Sequence, residues 1–438
     1  MSLHEWQSSF KNRLLSLNPQ RIFVAYSGGM DSSVLLQCLA KLELNLPLFA
    51  IHIHHGLSVN ADTWFEHCKA TCKKLNIEFL GHHVDLSGHT SNIEQAARLA
   101  RYEIFEQYIK AGDVLLMGHH QDDQIETFMM RLMRGSGLTG LTVMDEERSL
   151  AQGRLLRPLI NTSRLEIETY AAQENIIHIE DESNTDQQFD RNWWRQNLLP
   201  QMAQRYPQSR QSILKTIDIL QAEHALLNDL LQPIYEEMVD GKGRLDSGQL
   251  QRQSVAIQNQ LVRKWLESNN GYPLLADKQI RVLLDDVVHA RDDAEPVFKW
   301  GKVNKGAEQG NEVRRHNGKL YCMKGLPSID VSQFPLAFNG THTPSLPMGL
   351  LELNVGLGLK PDNYQIVLYD GSAKAQPINR PNKTLKKWFQ EYSVPPWQRP
   401  FWPVILKNEQ VVAVPGLFIC QGFACEQGWR LSFNFTSV

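Results

Sequence analysis

The stretch FVAYSGGMDSSVLLQCL, residues 23–39, constrains this chain more than any other: an apolar run, a glycine pair flanked by serines, then a second apolar run with helical spacing. A strand that ends in such a turn and passes at once into a helix opens a βαβ unit, because parallel strands need a crossover between them. The alternation continues to about Gly118. RIFVAY, LPLFAIHIH, IEFLGHHV and DVLLMG read as strands, and DSSVLLQCLAKL, ADTWFEHCKATCKKL and NIEQAARLARYEIFEQYIK as the helices between them. The pattern predicts a Rossmann-like α/β fold, a mainly parallel sheet covered on both faces. In such sheets the ligand lies beyond the carboxyl ends of the strands. Three unusual clusters fall there, SGGMDSS, HIHHGLS and GHHQDD, and they are expected to converge.

The glycine loop matches neither GxxxxGK[ST] nor GxGxxG. Its glycines still allow backbone amides to approach a phosphate, and the helix behind it presents unpaired N–H groups and a positive dipole end. Ser27, Ser32 and Ser33 add hydroxyl donors, and Asp31 places a carboxylate where an anion should bind, which is sensible if Mg²⁺ bridges the two. In MGHHQDDQIETF, Asp123, Glu126 and Thr127 share one helical face beside two histidines; catalysis or magnesium binding is expected there. Arg98 and Arg101 sit on neighbouring turns, with Glu94–Arg98 readable as an ordinary helix-surface pair. His52 and His54 share one side of a strand end. With no HExxH spacing or cysteine pairing for a closed metal site, they are read as polar lining of a nucleotide pocket.

After about Gln208 the pattern turns to long helices, SILKTIDILQAEHALLNDLLQPIYEEM, QNQLVRKWLESN and DKQIRVLLDDVVHA, closing with the strand-like EVRRHNGKLYCMKG. Pro, Gly, Ser and Thr crowd the stretch from Gly325 to Gly349, and short strands around one basic helix follow. Three domains are expected: 1–208, α/β and catalytic; 209–325, mainly helical; and 326–438, small α+β. The six cysteines are scattered and read as reduced, mostly buried thiols. With no signal peptide at the start and no run of about 18 apolar residues, the chain reads as cytoplasmic.

The string SGGMDSSVLL resembles the PP-loop of the N-type ATP pyrophosphatases, which cut ATP between its α and β phosphates. With GHHQDDQIET, LLRPLINTSRLEI, IEDESNTD and DRNWWRQN following in order, the N-terminal part resembles the tRNA(Ile)-lysidine synthetase family. The resemblance implies ATP and Mg²⁺ as cofactors, with free lysine and the minor isoleucine tRNA bearing a CAU anticodon as substrates. The 2-carbonyl oxygen of the wobble cytidine would be adenylated and the lysine ε-amine would displace AMP. It also implies roles. Ser27, Gly28, Gly29, Met30, Asp31 and Ser32 hold the phosphates, and Asp31 assists Mg²⁺. His119, Asp123 and Glu126 match active-site positions, Asp123 organising the metal or the amine. Arg98, with Arg101 as the alternative, neutralises charge developing on phosphate. Arg191 and Arg195 contact RNA or close the pocket, or else form a helix-start salt bridge.

A net charge of −3 excludes a uniformly basic coat, so RNA must be met by local patches. NRPNKTLKKWFQEYSVPPWQRPFW is such a patch. Its aromatics, Trp388, Phe389, Trp397 and Trp402, are expected in the core, and Lys383, Lys386, Lys387 and Arg399 on RNA. The nearest alternative is another PP-loop enzyme such as a tRNA thiolase, which would carry sulfur on catalytic cysteines or a CxxC-held cluster. No CxxC pair is present.

Overall fold

The computed structural model describes residues 3–56, 58–86, 93–182, 190–269, 275–291, 294–301 and 310–435. The chain divides into two compact units, Met1–Asn228 and Asp229–Val438.

The first unit opens with α1 (Leu3–Ser16) and then repeats strand and helix: β1 (Arg21–Ala25), α2 (Met30–Lys41), β2 (Leu48–His54), α3 (Ala61–Lys74), β3 (Glu78–His83), α4 (Ile93–Tyr108), β4 (Asp113–Leu116) and α5 (Gln121–Met133). A short α6 (Leu138–Leu141), the hairpin β5 (Glu147–Leu150) and β6 (Gly153–Leu156), and α7 (Arg164–Gln173) follow. The sheet order is β3-β2-β1-β4-β6-β5, parallel except for the edge strand β5. Alternation along β1 explains the two covered faces. Ile22 and Val24 pack with Leu35, Leu39, Cys68 and Ile167 from α2, α3 and α7, while Phe23 points the other way, into a core with Phe105 of α4, Ile109 just beyond its end, Leu115 and Leu155. From β1 the chain runs outward through β2 and β3, then returns to place β4 on the other side of β1. That reversal opens a crevice at the carboxyl ends of β1 and β4.

The unit continues through α8 (Asp190–Trp193), a π turn over Trp194–Leu198, α9 (Leu199–Arg205) and the long α10 (Ser209–Met238), within which the division falls. In the second unit come β7 (Leu245–Asp246), α11 (Ser247–Gln251), α12 (Val255–Ser268), α13 (Asp277–Leu283), β8 (Val297–Trp300), β9 (Asn311–His316) and β10 (Lys319–Lys324). These strands form an antiparallel sheet ordered β7-β10-β9-β8. The expected hairpin is β9–β10. The flanking β7 and β8 are too short for a local pattern to reveal.

The remainder holds β11 (Leu336–Phe338), β12 (Leu350–Leu359), β13 (Tyr364–Leu368), β14 (Lys374–Ala375), β15 (Lys383–Thr384), α14 (Leu385–Glu391), β16 (Pro403–Lys407), β17 (Gln410–Val414), β18 (Phe418–Ile419) and β19 (Ala424–Asn434). Its core is built on Trp388, Phe389 and Trp402 against Ile366, Val404 and Ile405. The six cysteines are free, and Cys38, Cys68, Cys72 and Cys420 are buried. No described helix is long and apolar enough to cross a membrane.

Candidate active site

The loop after β1 owes its shape to glycine. Gly28 has φ +88°, and a Cβ there would lie 2.3 Å from Ile179 Cδ1 and 2.7 Å from Cys68 Sγ. The loop is fastened from within: Ile179 N–H donates to the Gly28 carbonyl at 2.9 Å, Ser33 Oγ to the same oxygen at 3.1 Å, and Ser32 Oγ to the Gly29 carbonyl at 3.0 Å. Ser27 Oγ lies 3.1 Å from Ser32 Oγ and accepts from Gly29 N–H. Gly29 caps α2 without a side chain, so the helix has no internal acceptor for its first-turn amides. That leaves an anion seat at the positive end of the helix.

At the end of β4, His120 caps α5. Its Nδ1 accepts from Asp122 N–H at 3.2 Å, and Asp123 Oδ2 accepts from His120 N–H at 2.9 Å. This reciprocal cap fixes His120 Nε2 between two carboxylates, 3.7 Å from Asp31 and 3.6 Å from Asp123. Burial disfavours its charge, but Asp31, Asp123 and Asp122 outweigh that and raise its pKa. The first and third clusters therefore converge. The second does so only in part. His52 is buried, holding the Tyr26 carbonyl at 2.9 Å between Phe65 and Phe79, and braces the loop instead of lining it. His54 pairs with Asp62 at 3.0 Å.

His119 is half-buried, and its Nδ1 is buried without a partner. Burial pushes the imidazole down to about 4; Asp123 opposes this, while the charges of Arg157, Arg191 and Arg98 reinforce it. It is neutral at physiological pH and offers a lone pair. Asp123 is held low: burial works the other way, but His120, Arg191 and His119 prevail. Glu126 is fully buried and receives Arg191 Nε at 2.6 Å, Arg195 Nε at 2.7 Å and Arg195 Nη2 at 3.0 Å. Arg191 also reaches Asp123 at 2.5 Å. The structure thus places Arg191 and Arg195, one turn apart across α8 and the π turn, as clamps on the α5 carboxylates.

Three further pairings carry no mark of their own in the sequence. Arg164 Nη1 donates to both oxygens of Asp31, at 2.9 and 3.0 Å. Arg210, at the start of α10, grips Asp122 bidentately at 2.7 and 2.5 Å. Asp122 also accepts from Arg164 N–H at 3.3 Å. Only their lying in or beside the quoted motifs could have flagged them. Arg98 is exposed and stacks on Tyr102 at 5.1 Å, its charge reaching His119; the charge of Arg101 bears on His55. The Glu94 side chain and residues 183–186 of IEDESNTD lie outside the described residues. Among the described residues no group of three His, Cys, Asp or Glu side chains could by itself hold a metal ion. A cavity of about 720 Å³ bordered by Gly112, Asp113, Gly153 and Arg154 lies at the opposite, amino ends of β4 and β6.

Comparison with known proteins settles the ancestry of this arrangement. Residues 2–202 match the PP-loop domain, 245–321 the TilS substrate binding domain and 365–433 the TilS substrate C-terminal domain. The tRNA(Ile)-lysidine synthase of Vibrio vulnificus strain CMCP6 is 38% identical over 427 residues, covering 94% of this chain and 95% of that protein. The chain belongs to the tRNA(Ile)-lysidine synthase family. The enzyme of the same name from Serratia proteamaculans is 35% identical, covering 95% of this chain and 96% of its own length, and that from Coxiella burnetii is 35% identical, covering 93% and 92%.

Membership makes this an ATP-using ligase of the PP-loop class. It also directs attention to the family's C-terminal domain in this chain. Trp388, Phe389, Trp397 and Trp402 are buried, as expected. Of the basic residues named with them, Lys386 and Lys387 stand exposed on α14. Lys383 is paired with Glu391 and lies 4.9 Å from the Trp388 ring centroid, and Arg399 Nε donates to the Val394 carbonyl at 2.9 Å. Those two are engaged within the fold.

Proposed function

We propose that this chain joins free lysine to C2 of the wobble cytidine of the CAU-anticodon isoleucine tRNA, with ATP split to AMP and pyrophosphate. The observation that carries the reading is the presence, in one chain, of a PP-loop domain and both TilS substrate domains, matched end to end by synthases of that name. The proposal keeps three parts: 1–208 for catalysis, 209–325 and 326–438 for grip on tRNA, in the cytoplasm.

In the first step the cytidine O2 attacks the α-phosphorus, an O–P bond forms and pyrophosphate leaves. In the second the lysine Nζ attacks C2, the C2–O bond breaks, and AMP departs with the bonding pair. The loop residues Ser27 to Ser32 bind ATP phosphates through first-turn amides and hydroxyls. The carboxylates of Asp31 and Asp123 suit Mg²⁺, which takes one or two carboxylates together with substrate phosphates instead of a full protein cage. When bound, the metal would neutralise phosphate charge. Lysine must lose a proton before it attacks, and neutral His119, whose titration Asp123 influences, is the proposed acceptor. Glu126 keeps Arg191 and Arg195 in position, and Arg98 adds positive charge beside His119. Lys386 and Lys387 are the proposed phosphate contacts of the C-terminal domain, and Lys383 and Arg399, each engaged within the fold, are proposed as secondary contacts.

Against the thiolase alternative, Cys68 and Cys72 are fully buried, and burial pushes both thiols up to about 12, so neither supplies a thiolate. The test incubates purified protein with ATP, Mg²⁺, labelled lysine and CAU-anticodon tRNA. Label entering RNA with release of AMP and pyrophosphate is expected; ATP-dependent sulfur transfer, or no incorporation, would overturn the proposal.

A further inference from the structure

Three arginines around Tyr102 of α4, namely Arg98, Arg148 on the edge strand β5 and Arg157 after β6, form no ion pair with any described carboxylate, and Arg148 also borders the cavity at the amino ends of β4 and β6. Arg98 and Arg148 each place the guanidinium carbon 5.1 Å from the Tyr102 ring centroid. Arg157, 4% exposed, donates Nη1 to the Asp145 carbonyl at 2.6 Å and leaves its Nε buried without a partner. Arginines elsewhere in the unit, such as Arg21, Arg154 and Arg164, are paired with Asp113, Glu147 and Asp31. Among the described residues Arg98, Arg148 and Arg157 make no such pair, although the charge of Asp145 bears on Arg157. Burial would push the Tyr102 phenol up, yet Arg98, Arg148 and Arg157 hold it below its ordinary value. Concentrated, partly desolvated positive charge is costly unless something anionic answers it.

The position says which anion. The glycine loop and α2 lie on the Ile22 and Val24 face of the sheet, whereas α4 lies on the Phe23 face. Between them, at the end of β4, stands His119, whose titration feels Arg157 and Arg98. Displacement at phosphorus runs in line, so the attacking oxygen arrives opposite the departing pyrophosphate. If the loop holds the pyrophosphate, the nucleotide bearing that oxygen enters from the α4 side, and its backbone meets the arginines.

We propose that Arg98, Arg148, Arg157 and Tyr102 form a binding site for an RNA phosphodiester flanking the base that is adenylated. The site rests on the proposal that the substrate is an RNA. Exposed Arg148 and Arg98 supply the accessible donors, Tyr102 spaces them, and Arg157 adds charge from beneath. The same chemistry could bind the phosphates of ATP or its products, and the experiment separates the two sources.

The probe is a synthetic CAU anticodon stem-loop, either unmodified or with one uncharged methylphosphonate on the 5′ or 3′ side of the wobble cytidine. It is titrated without ATP at fixed salt against the wild-type, Arg148→Gln and Arg148→Lys full-length proteins. Neutralising one of those phosphates should weaken wild-type binding about tenfold, the scale of one charge-assisted contact. Arg148→Gln should bind the unmodified RNA about tenfold more weakly and ignore the replacement, Arg148→Lys should recover part of the affinity, and ATP affinity by calorimetry should not change. An Arg148→Gln protein that binds unmodified RNA normally, that still responds to the methylphosphonate, or that loses ATP affinity would overturn the site. A wild-type protein that incorporates lysine but is indifferent to both replacements overturns this site alone. One that incorporates no lysine overturns the broader reading.

Discussion

Arg164 Nη1 donates to both carboxylate oxygens of Asp31, 133 residues away, tying the start of α7 to the first turn of α2. The two side chains are 36% and 29% exposed, so the pair is worth under about 1 kcal/mol of stability. Its proposed weight is functional, since Asp31 lies in the first turn of α2, where ATP phosphates are proposed to bind.

Asp31→Asn should therefore leave the unfolding midpoint almost unchanged while abolishing the gain in ATP affinity that Mg²⁺ confers. Calorimetric titrations of ATP in Mg²⁺ and in EDTA check this. A variant that still gains affinity with Mg²⁺ removes Asp31 from metal binding.

The loop glycines should differ in kind. Gly28→Ala forces a side chain into the left-handed region and against Ile179 and Cys68, and should cost at least about 1–2 kcal/mol in urea denaturation. Gly29, with φ −67° and its nearest atom, Ser27 Oγ, 3.5 Å from an added Cβ, should accept alanine without loss of stability but bind ATP more weakly.

Glu126→Gln leaves two guanidinium groups over Asp123 with one charge fewer. A fully buried pair broken on one side costs about 3–5 kcal/mol. Arg191 and Arg195 are 35% and 38% exposed, so about 1–3 kcal/mol is expected here, with lysine incorporation falling further than stability explains. Equilibrium denaturation and single-turnover incorporation on the same preparation separate the two losses.

His119 titrates near 4 in the folded chain against about 6.5 unfolded, so the unfolded state takes up its proton first as pH falls. The stability linked to its neutral form is complete above about pH 6.5 and is lost between there and about pH 4. His119→Gln should flatten that part of the stability profile by about 1–3 kcal/mol. His120 has a raised pKa, so its contribution has the opposite sign: present below its unfolded value and lost as pH rises through the folded one. An unchanged acid slope in His119→Gln would show that the imidazole is not held neutral.

Replacing Lys386 and Lys387 with alanine should change stability by less than about 0.5 kcal/mol, since both are exposed. The slope of log affinity for tRNA against log salt should become shallower by about 0.7–0.9 for each phosphate no longer neutralised. An unchanged slope would return both lysines to a solvated surface.

The strand and helix alternation through β4, the meeting of the SGG loop with GHHQDD, and the burial of Trp388 and Trp402 were all legible in the sequence. Each rests on a local property: spacing of apolar residues, glycine at a turn, or a cap before a helix. The crevice followed from topology alone, because parallel strands with intervening helices bring those loops to one edge.

Which side chains meet there was decided only by the tertiary structure. Asp31 with Arg164, Asp122 with Arg210 and Glu126 with Arg191 and Arg195 are separated by 133, 88, 65 and 69 residues. Nothing in the neighbourhood of either partner encodes such a match. An arginine looks the same in sequence whether it answers a carboxylate, a carbonyl or nothing, and the difference between Arg164 and Arg148 appears only when the folded chain sets the distance.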